Sequence, residues 1–542
     1  MNKKYIIVTG WVLSGIGKWV TTASAGFFLS EKYSITPIKL DGYLNVDPGT
    51  MNPHEHGEVF VLEDGAEVDM DFGHYERFLW VNCHGNQSIS MGKIYKDILD
   101  KERKGDFLGK TVQMIPHVTN HIVEKIQDSF QQSAGDICMI EVGGTVGDIE
   151  VELYIQALRQ LRHALPKWDF VHLHLTYVPI PGWVDEQKTK PTQQSISLLQ
   201  SKGLFPDAIM ARWSEYLTES SKRKIALFSN LEQENIFSLP DVSSIYSIPG
   251  VLKQQYFEIM LCDMLGIPAE HIHHEKIKAW NNYLTIEKNK TVTIGIIWKY
   301  TALEDSYSSV VEALKHVGQT LGVQVNIDFI NTRDSDWIAA LKNCDGAIVP
   351  GWFWDSAIEN MITTLKYTRE NKIPTLGICL WMQLMMIEYA RNVMDIPQAN
   401  SLEFNSDCAP HDIITLLESQ KDVINLWWTM RLWKHNTIIS QWQIKDLYTD
   451  SQRISQQSTI SERFRHRYEV HPEFAKQLEW QAMKVSWKSE QEWIVQFIEL
   501  DAQTHPYYIA TQSHPELTSK LEDPAPLFIG LVKACIKKQE TI

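Results

Sequence analysis

No Cys-x-x-Cys pair occurs in this sequence, and its seven cysteines (Cys83, Cys138, Cys262, Cys344, Cys379, Cys408 and Cys535) are odd in number and widely spread. That excludes a disulfide framework and argues against structural zinc. No stretch approaches the roughly 18 consecutive apolar residues of a membrane span. The N-terminus Met-Asn-Lys-Lys-Tyr-Ile-Ile-Val carries basic residues but too short an apolar run for a signal peptide, so a cytoplasmic location is expected. Positive charge is also short: the net charge of −16 argues against a general binder of nucleic acid or membrane surface. Anionic ligands would therefore need local basic sites. Internal repeats and coiled-coil heptads are absent as well.

What is present is a chain of 542 residues with 44% hydrophobic and 22% charged content, typical of a soluble globular protein and too long for one core. At least two domains are expected. The unusual component is tryptophan: nineteen, as many as Tyr or Phe.

The first strand, Tyr5 to Thr9, runs into a glycine-bearing loop, Gly10-Trp-Val-Leu-Ser14-Gly15-Ile-Gly17-Lys18-Trp19, and then a helix from Val20 to Lys32. A strand, a Gly/Ser loop with one Lys and a helix N-terminus cradle phosphates through backbone N–H groups. The fit to Gly-x4-Gly-Lys-Ser/Thr is incomplete, because Val12 stands at the first Gly and Trp19 at the hydroxyl. Glu58 to Arg77 packs acids beside aromatics in what reads as turn-rich sequence, either a solvated face or, after a phosphate loop, a set of Mg²⁺ ligands. Asp136 to Glu141 is a buried strand ending in a carboxylate, where mononucleotide folds place a metal-holding acid.

After a strand at His172 to Val178, the run Lys188-Thr-Lys190-Pro-Thr-Gln193 opens a helix and forms an anion site, and Lys222-Arg-Lys224 adds a second basic cluster. Residues 267–290 read as a polar linker; His271-Ile-His273-His274-Glu275 within it is read as hydrated sequence rather than a metal site. From Thr291, strands alternate with helices again and predict a second parallel sheet.

In that second half, Gly377-Ile-Cys379-Leu-Trp381 links the strand Ile373 to Ile378 to the helix Leu380 to Val393 in the manner of a nucleophile elbow. A thiol there lies near the positive end of the helix dipole, which favours the thiolate relative to a free pKa of about 8.5. Downstream, Gln512-Ser-His514-Pro-Glu516 supplies a base and a carboxylate to orient it. Cys379, His514 and Glu516 in this order resemble the triad of class I glutamine amidotransferases.

With Lys39-Leu-Asp41, Asn45-Val-Asp47-Pro-Gly-Thr50-Met, His56-Gly-Glu-Val-Phe, Glu63-Asp-Gly-Ala-Glu67, Gly73-His-Tyr-Glu-Arg-Phe78, Glu141-Val-Gly-Gly-Thr-Val-Gly-Asp-Ile-Glu150 and Lys188 to Gln193 added, the chain resembles the CTP synthase family nearly end to end. The resemblance implies an α/β protein with two parallel-sheet domains. These are a P-loop-like synthetase (amidoligase) domain of the dethiobiotin synthetase kind over 1–266, a linker over 267–290, and a class I glutaminase domain over 291–542. The implied reaction is ATP-dependent amination of UTP to CTP with ammonia from glutamine.

By the same resemblance, Ser14, Gly15, Ile16, Gly17, Lys18, Trp19 and Val20, with Asp71 and Val242, would hold ATP, and Asp71 and Glu141 would hold Mg²⁺. Ser14, Asp148, Ile149, Glu150, Lys188, Thr189, Lys190, Pro191, Thr192, Gln193 and Lys224 would bind UTP, or CTP as feedback inhibitor. Gly351, Trp352, Leu380, Trp381, Met382, Gln383, Glu403 and Arg467 would hold glutamine. A homotetramer with the UTP site between subunits, GTP as activator and a sealed route for ammonia between domains are also implied.

Ten tryptophans, at 11, 19, 298, 352, 354, 381, 427, 428, 433 and 487, occupy positions where the family pattern has glycine, and Trp80 is an eleventh candidate. Glycine held at positive φ or against a ligand resists replacement by Trp, at roughly 1–3 kcal/mol each for backbone strain. Since GGA differs from UGA by one base, we expect these to be UGA codons read as glycine in the source cell. Alternatives are a scaffold or filament subunit that keeps the fold without the chemistry, and a cobyrinate-amidase-like synthetase, which lacks the match at Lys188 to Gln193.

Overall fold

A computed structural model describes residues 3–13, 15–183, 186–272, 274–298, 304–351, 358–408, 410–416, 430–439, 442–478, 483–489 and 492–541. The chain divides into two compact units, one of residues 1–51 and 67–284, the other of 52–66 and 285–542.

The N-terminal unit is built on seven parallel strands: β1 (Lys4–Gly10), β2 (Ile35–Asp41), β3 (Ser88–Ser90), β4 (Ile137–Val142), β5 (Phe170–Tyr177), β6 (Ala208–Arg212) and β7 (Ile236–Leu239). Their order is β3-β2-β4-β1-β5-β6-β7. Every residue of β1, β2 and β4 is buried, as expected for strands covered on both faces. Because the strands β2 to β4 lie on one side of β1 and those from β5 onward on the other, the strand order reverses beside β1, where the carboxyl ends of the central strands border a crevice. Into it run the loop between β1 and helix α1 (Lys18–Leu29) and the N-terminus of helix α2 (Asp71–Leu79).

Two local readings need correction. The acid- and aromatic-rich run read as turn-rich contains α2, all nine of whose residues are buried, because its aromatics Phe72, Tyr75 and Phe78 pack inward. Residues 267–290, read as polar and hydrated, include helix α4 (Glu275–Leu284), in which Trp280 is buried against Phe27 and Phe78 at ring-centroid distances of 4.4 and 5.0 Å. One large indole outweighs the polar composition around it. Helix α3 (Lys190–Ser201) opens with the lysine- and threonine-rich run.

The C-terminal unit contains β8 (Lys290–Trp298), β9 (Val323–Asn331), β10 (Gly346–Val349), β11 (Thr375–Ile378), the antiparallel pair β12 (Arg431–Ile438) and β13 (Thr459–His466), and β14 (Met483–Ser489), β15 (Glu492–Leu500) and β16 (Tyr508–Thr511). The main sheet runs β9-β8-β10-β11-β16-β15-β14. Its first five strands are parallel, whereas β15 and β14 join antiparallel at one edge. Helix α5 (Leu380–Asn392) follows β11 and is buried over most of its length.

Candidate active sites

Cys379 sits on the one-residue joint between β11 and α5 with φ 59° and ψ −112°. This conformation is hostile to a side chain, at about 1–3 kcal/mol, and is the strained turn of a nucleophile elbow. The joint is pinned by the Cys379 N–H, which donates to the Thr511 carbonyl at 2.7 Å. The thiol donates to the Arg465 carbonyl at 3.4 Å and accepts from Gln512 Nε2 at 3.5 Å. Gln512 Oε1 in turn accepts from Gln383 Nε2 at 3.0 Å, and Gln383 also donates to the Tyr468 carbonyl at 2.9 Å. Gln383 therefore braces the nucleophile through Gln512, a residue whose role sequence reasoning missed although it stands two places before His514.

His514 Nδ1 is 2.7 Å from Glu516 Oε1, while His514 Nε2 is buried with no partner at hydrogen-bonding geometry among the described residues. Burial pulls the His514 pKa down, but the charges of Glu516 and Cys379 outweigh it and carry the pKa up to about 10. The arrangement thus favours imidazolium beside the sulfur. Gly351 lies against both groups: a Cβ there would come within 2.9 Å of Cys379 Cβ and of His514 Cε1. Only glycine leaves that face of the pair open.

Of the other residues expected to hold glutamine, Leu380, Trp381 and Met382 are buried in the core of the C-terminal unit. Tyr468 feels the charges of both Glu403 and Arg467: burial and Glu403 raise its pKa, and Arg467 opposes. The Arg467 guanidinium lies 5.8 Å from the Tyr468 ring centre. Arg467 and Tyr468 directly follow β13, and Glu403, from a segment before that strand, is close enough for its charge to act on Tyr468. Trp352 lies outside the described residues.

In the N-terminal unit, Gly15 and Gly17 take positive φ values of 75° and 101°, as does Val12 at 82°, the position where the phosphate-loop pattern has glycine. Lys18 is buried, and its ammonium donates to the Gly144 carbonyl at 2.8 Å. Burial lowers its pKa, against the pull of Glu141. Trp19, at the hydroxyl position, stacks on His74 with ring centres 3.7 Å apart and 11° between planes. Ile16 is buried and Val20 half-buried; Ser14 lies outside the described residues.

Asp71, the first residue of α2 rather than the end of a strand, and Glu141, near the end of β4, both contact the ammonium of Lys39, Glu141 at 3.9 Å and Asp71 more closely. Asp69 at 2.9 Å and Asp41 at 3.8 Å complete the ring, and Tyr75 donates its hydroxyl to Glu141. Burial raises the pKa of Asp41, Asp71 and Glu141 while Lys39 opposes it. Among the described residues no three donors form a ready-made metal cage. Mg²⁺ requires none, since it takes one or two carboxylates and fills its sphere with phosphate oxygens and water. Hard oxygen donors whose ionised forms are disfavoured by burial fit such a cation. Lys39, Asp41 and Tyr75 carry this environment and had been assigned no role from sequence.

The uridine-site candidates are spread over three segments. Asp148, Ile149 and Glu150 form an exposed turn, in which Asp148 accepts from Thr145 N at 3.2 Å. Lys188 and Lys224 share one carboxylate, Glu186, at 2.7 and 3.6 Å. Lys190 lies over the Phe228 ring at 5.4 Å, Pro191 sits in the first turn of α3, and Gln193 donates to Thr189 Oγ1 at 3.0 Å. Thr192 is fully buried. Val242 is half-buried in the loop after β7.

The tryptophans divide by backbone. Trp433 has φ 103° and Trp80 φ 58°, the left-handed values that favour glycine. Trp11, Trp19 and Trp381 do not share them, and Trp298 and Trp487 lie within the extended strands β8 and β14, so left-handed strain is not the burden there. At Trp381 the burden is the indole itself, 2% exposed and with an Nε1 that has no hydrogen-bond partner among the described residues. Trp352, Trp354, Trp427 and Trp428 lie outside the described residues.

Residues 4–267 match the family model of the CTP synthase N-terminus, and residues 302–534 match that of class-I glutamine amidotransferases. The CTP synthase of Borreliella afzelii is 44% identical over 99% of both chains, and that of Methanopyrus kandleri 41% identical over 98% of both. The Trypanosoma brucei CTPS glutaminase domain with bound acivicin is 27% identical, covering 45% of this chain and 94% of its own, with a TM-score of 0.41. With both halves matched by these family models and curated CTP synthases matched over 98–99% of the chain, this chain belongs to the CTP synthase family of glutamine-dependent ligases.

Proposed function

We propose that the chain aminates O4-activated UTP to CTP, using ATP for activation and glutamine as the source of ammonia. The observation that carries this reading is the Cys379 elbow with His514 and Glu516, in a unit separate from the one that holds Lys18 beside buried carboxylates. Cys379 as thiolate attacks the glutamine amide carbon, and backbone N–H groups near Gly351 and Leu380 stabilise the oxyanion. His514 gives its proton to the departing nitrogen, releasing ammonia; water then cleaves the thioester with His514 as base and frees glutamate. Glu516 keeps the imidazole oriented and favours its charged form.

In the synthetase unit, the loop Gly15 to Lys18 presents N–H groups and one ammonium to the triphosphate of ATP. Transfer of the γ-phosphoryl group to O4 of UTP turns a poor leaving group into a good one, and ammonia displaces phosphate at C4. Asp71 and Glu141 would hold Mg²⁺, which when bound neutralises phosphate charge. UTP, or CTP as inhibitor, is recognised by Asp148 to Glu150, Lys188 to Gln193 and Lys224. A homotetramer in which this turn meets a neighbouring subunit belongs to the same family reading. GTP as activator follows from the family reading. No described helix is long and apolar enough to cross a membrane.

The test is Cys379→Ala. Glutamine-dependent CTP formation should vanish while ammonia-dependent formation persists; loss of both would overturn the division of labour.

A further inference from the structure

Apart from both candidate sites, buried polar groups form one connected chain through the N-terminal sheet. His172, His174 and Thr176 alternate along β5 and so share a face. Thr9 of the neighbouring β1 stands between the imidazoles, its Oγ1 2.8 Å from His172 Nε2 and 2.7 Å from His174 Nδ1. At one end His172 Nδ1 is 3.2 Å from the Phe205 carbonyl, and at the other His174 Nε2 meets Ser195 Oγ on α3. Thr9, His172, His174 and Ser195 have no solvent exposure.

One group settles the direction of every proton. Burial lowers the pKa of His172 far below its usual value and that of His174 to about 3, so both rings are neutral and each carries one N–H. The Phe205 carbonyl can only accept, so the His172 proton is on Nδ1 and its Nε2 is an acceptor. Thr9 must then donate its single hydroxyl proton to His172, which leaves its oxygen to accept from His174 Nδ1–H. His174 Nε2 is consequently an acceptor, and Ser195 donates to it. Each member is satisfied in one way only, and replacing any of them strands a buried partner.

The ends of this chain matter. Thr9 immediately precedes Gly10, where the phosphate loop begins, and α3 starts at Lys190 inside the run assigned to the uridine nucleotide. A second polar anchor lies one turn earlier on α3: Thr192 Oγ1 is 3.2 Å from the Tyr177 carbonyl and 3.3 Å from Thr176 Oγ1. The apolar contacts of α3, through Ile196 and Leu199, are non-directional and tolerate sliding or rotation of the helix. Hydrogen bonds of defined length and angle do not.

We propose that Thr9, His174 and Ser195 are positioning residues of the synthesis reaction: their chain fixes where α3 sits along β1 and β5, and so where its N-terminal turn presents UTP relative to the phosphate loop. This rests on the assignment of Lys188 to Gln193 to UTP. The experiment is ammonia-dependent CTP synthesis by the full chain. Ser195→Ala should raise KM for UTP roughly three- to tenfold, the worth of one buried hydrogen bond, with kcat and KM for ATP within about twofold. Ser195→Thr, which keeps the hydroxyl, should restore KM for UTP. Thr9→Val, isosteric but without the hydroxyl, should raise KM for both nucleotides, while Thr9→Ser should not; this second pair decides the matter if Ser195→Ala does not fold. An unchanged KM for UTP in Ser195→Ala, or a lowered kcat or melting temperature that Ser195→Thr leaves unrepaired, would overturn the proposal. Lys188→Ala separates the two layers. If it raises KM for UTP while Ser195→Ala does not, only the positioning chain fails; if it leaves KM unchanged, the UTP assignment fails and the proposal with it.

Discussion

Replacing Trp433 by Gly and, separately, by Ala isolates backbone strain from packing. Trp433 lies inside β12, paired with Phe464, at φ 103° and with 53% of its surface exposed. Its indole also rests on Gly65, where a Cβ would come within 2.5 Å of the ring. Both substitutions lose those indole contacts equally, but only Gly releases the left-handed strain, which costs an L-residue about 1–2 kcal/mol. Set against the roughly 0.5–1 kcal/mol of extra chain entropy that Gly loses, the strain released should still leave the Trp433→Gly variant more stable than Trp433→Ala by about 0.5–1 kcal/mol, the reverse of the ordinary preference for Ala. Trp381 supplies the contrast. Its backbone is helical in α5, so Ala should exceed Gly there by about 1 kcal/mol. Scanning calorimetry of the full chain reads the difference as roughly 2–4 °C per kcal/mol in the transition of the C-terminal unit. Equal or greater stability of Trp433→Ala over Trp433→Gly would refute the strain argument. The expected origin of the tryptophans makes a separate demand: UGG codons at these positions in the source gene would end it, whereas UGA codons would mean that the cell makes glycine there and that the Gly form is the active enzyme.

Lys18→Ala should abolish CTP synthesis with either glutamine or ammonia while leaving glutamine hydrolysis intact; synthesis at the normal rate would show that the loop after β1 is not the ATP site. Chelation of Mg²⁺ should stop synthesis and spare glutamine hydrolysis, and an Asp71→Asn variant should need more Mg²⁺ for half-maximal rate; an unaltered requirement would remove Asp71 from the metal site. The raised pKa of His514 gives a pH signature. Because the folded value of about 10 exceeds the ordinary value of 6.5, its contribution to stability is complete below about pH 6.5 and is lost as pH rises through about 10. The stability lost in Glu516→Gln should accordingly be largest near pH 6.5 and shrink as pH rises toward 10 in thermal melts, and a difference that grows with pH would contradict the assignment.

Much of this protein was legible in one dimension because its signals are local. The glycine-bearing loop after β1, the cysteine before a helix and the His-x-Glu pair are each contiguous in sequence, and alternating apolar runs announced two α/β units. The backbone at Cys379 could be anticipated from its strand-to-helix junction alone, and the glycine character of positions 12, 80 and 433 from the residues flanking them. What a contiguous reading could not supply is which distant groups meet. Lys39 is thirty residues from Asp69 and more than a hundred from Glu141, and only the packing of β2, β4 and α2 around one sheet edge brings four carboxylates to its ammonium. Gln512 becomes a brace for the nucleophile only because β16 lies beside β11. Residues 52–66 join the C-terminal unit although the chain on both sides of them belongs to the other, since interior contacts, not chain order, decide membership of a core. Local propensity and motif spacing are properties of neighbours along the chain. The pKa of His514, the satisfaction of Thr9 and the room left by Gly351 are properties of neighbours in space, and the desolvation that sets their magnitudes exists only after the sheets have closed over them.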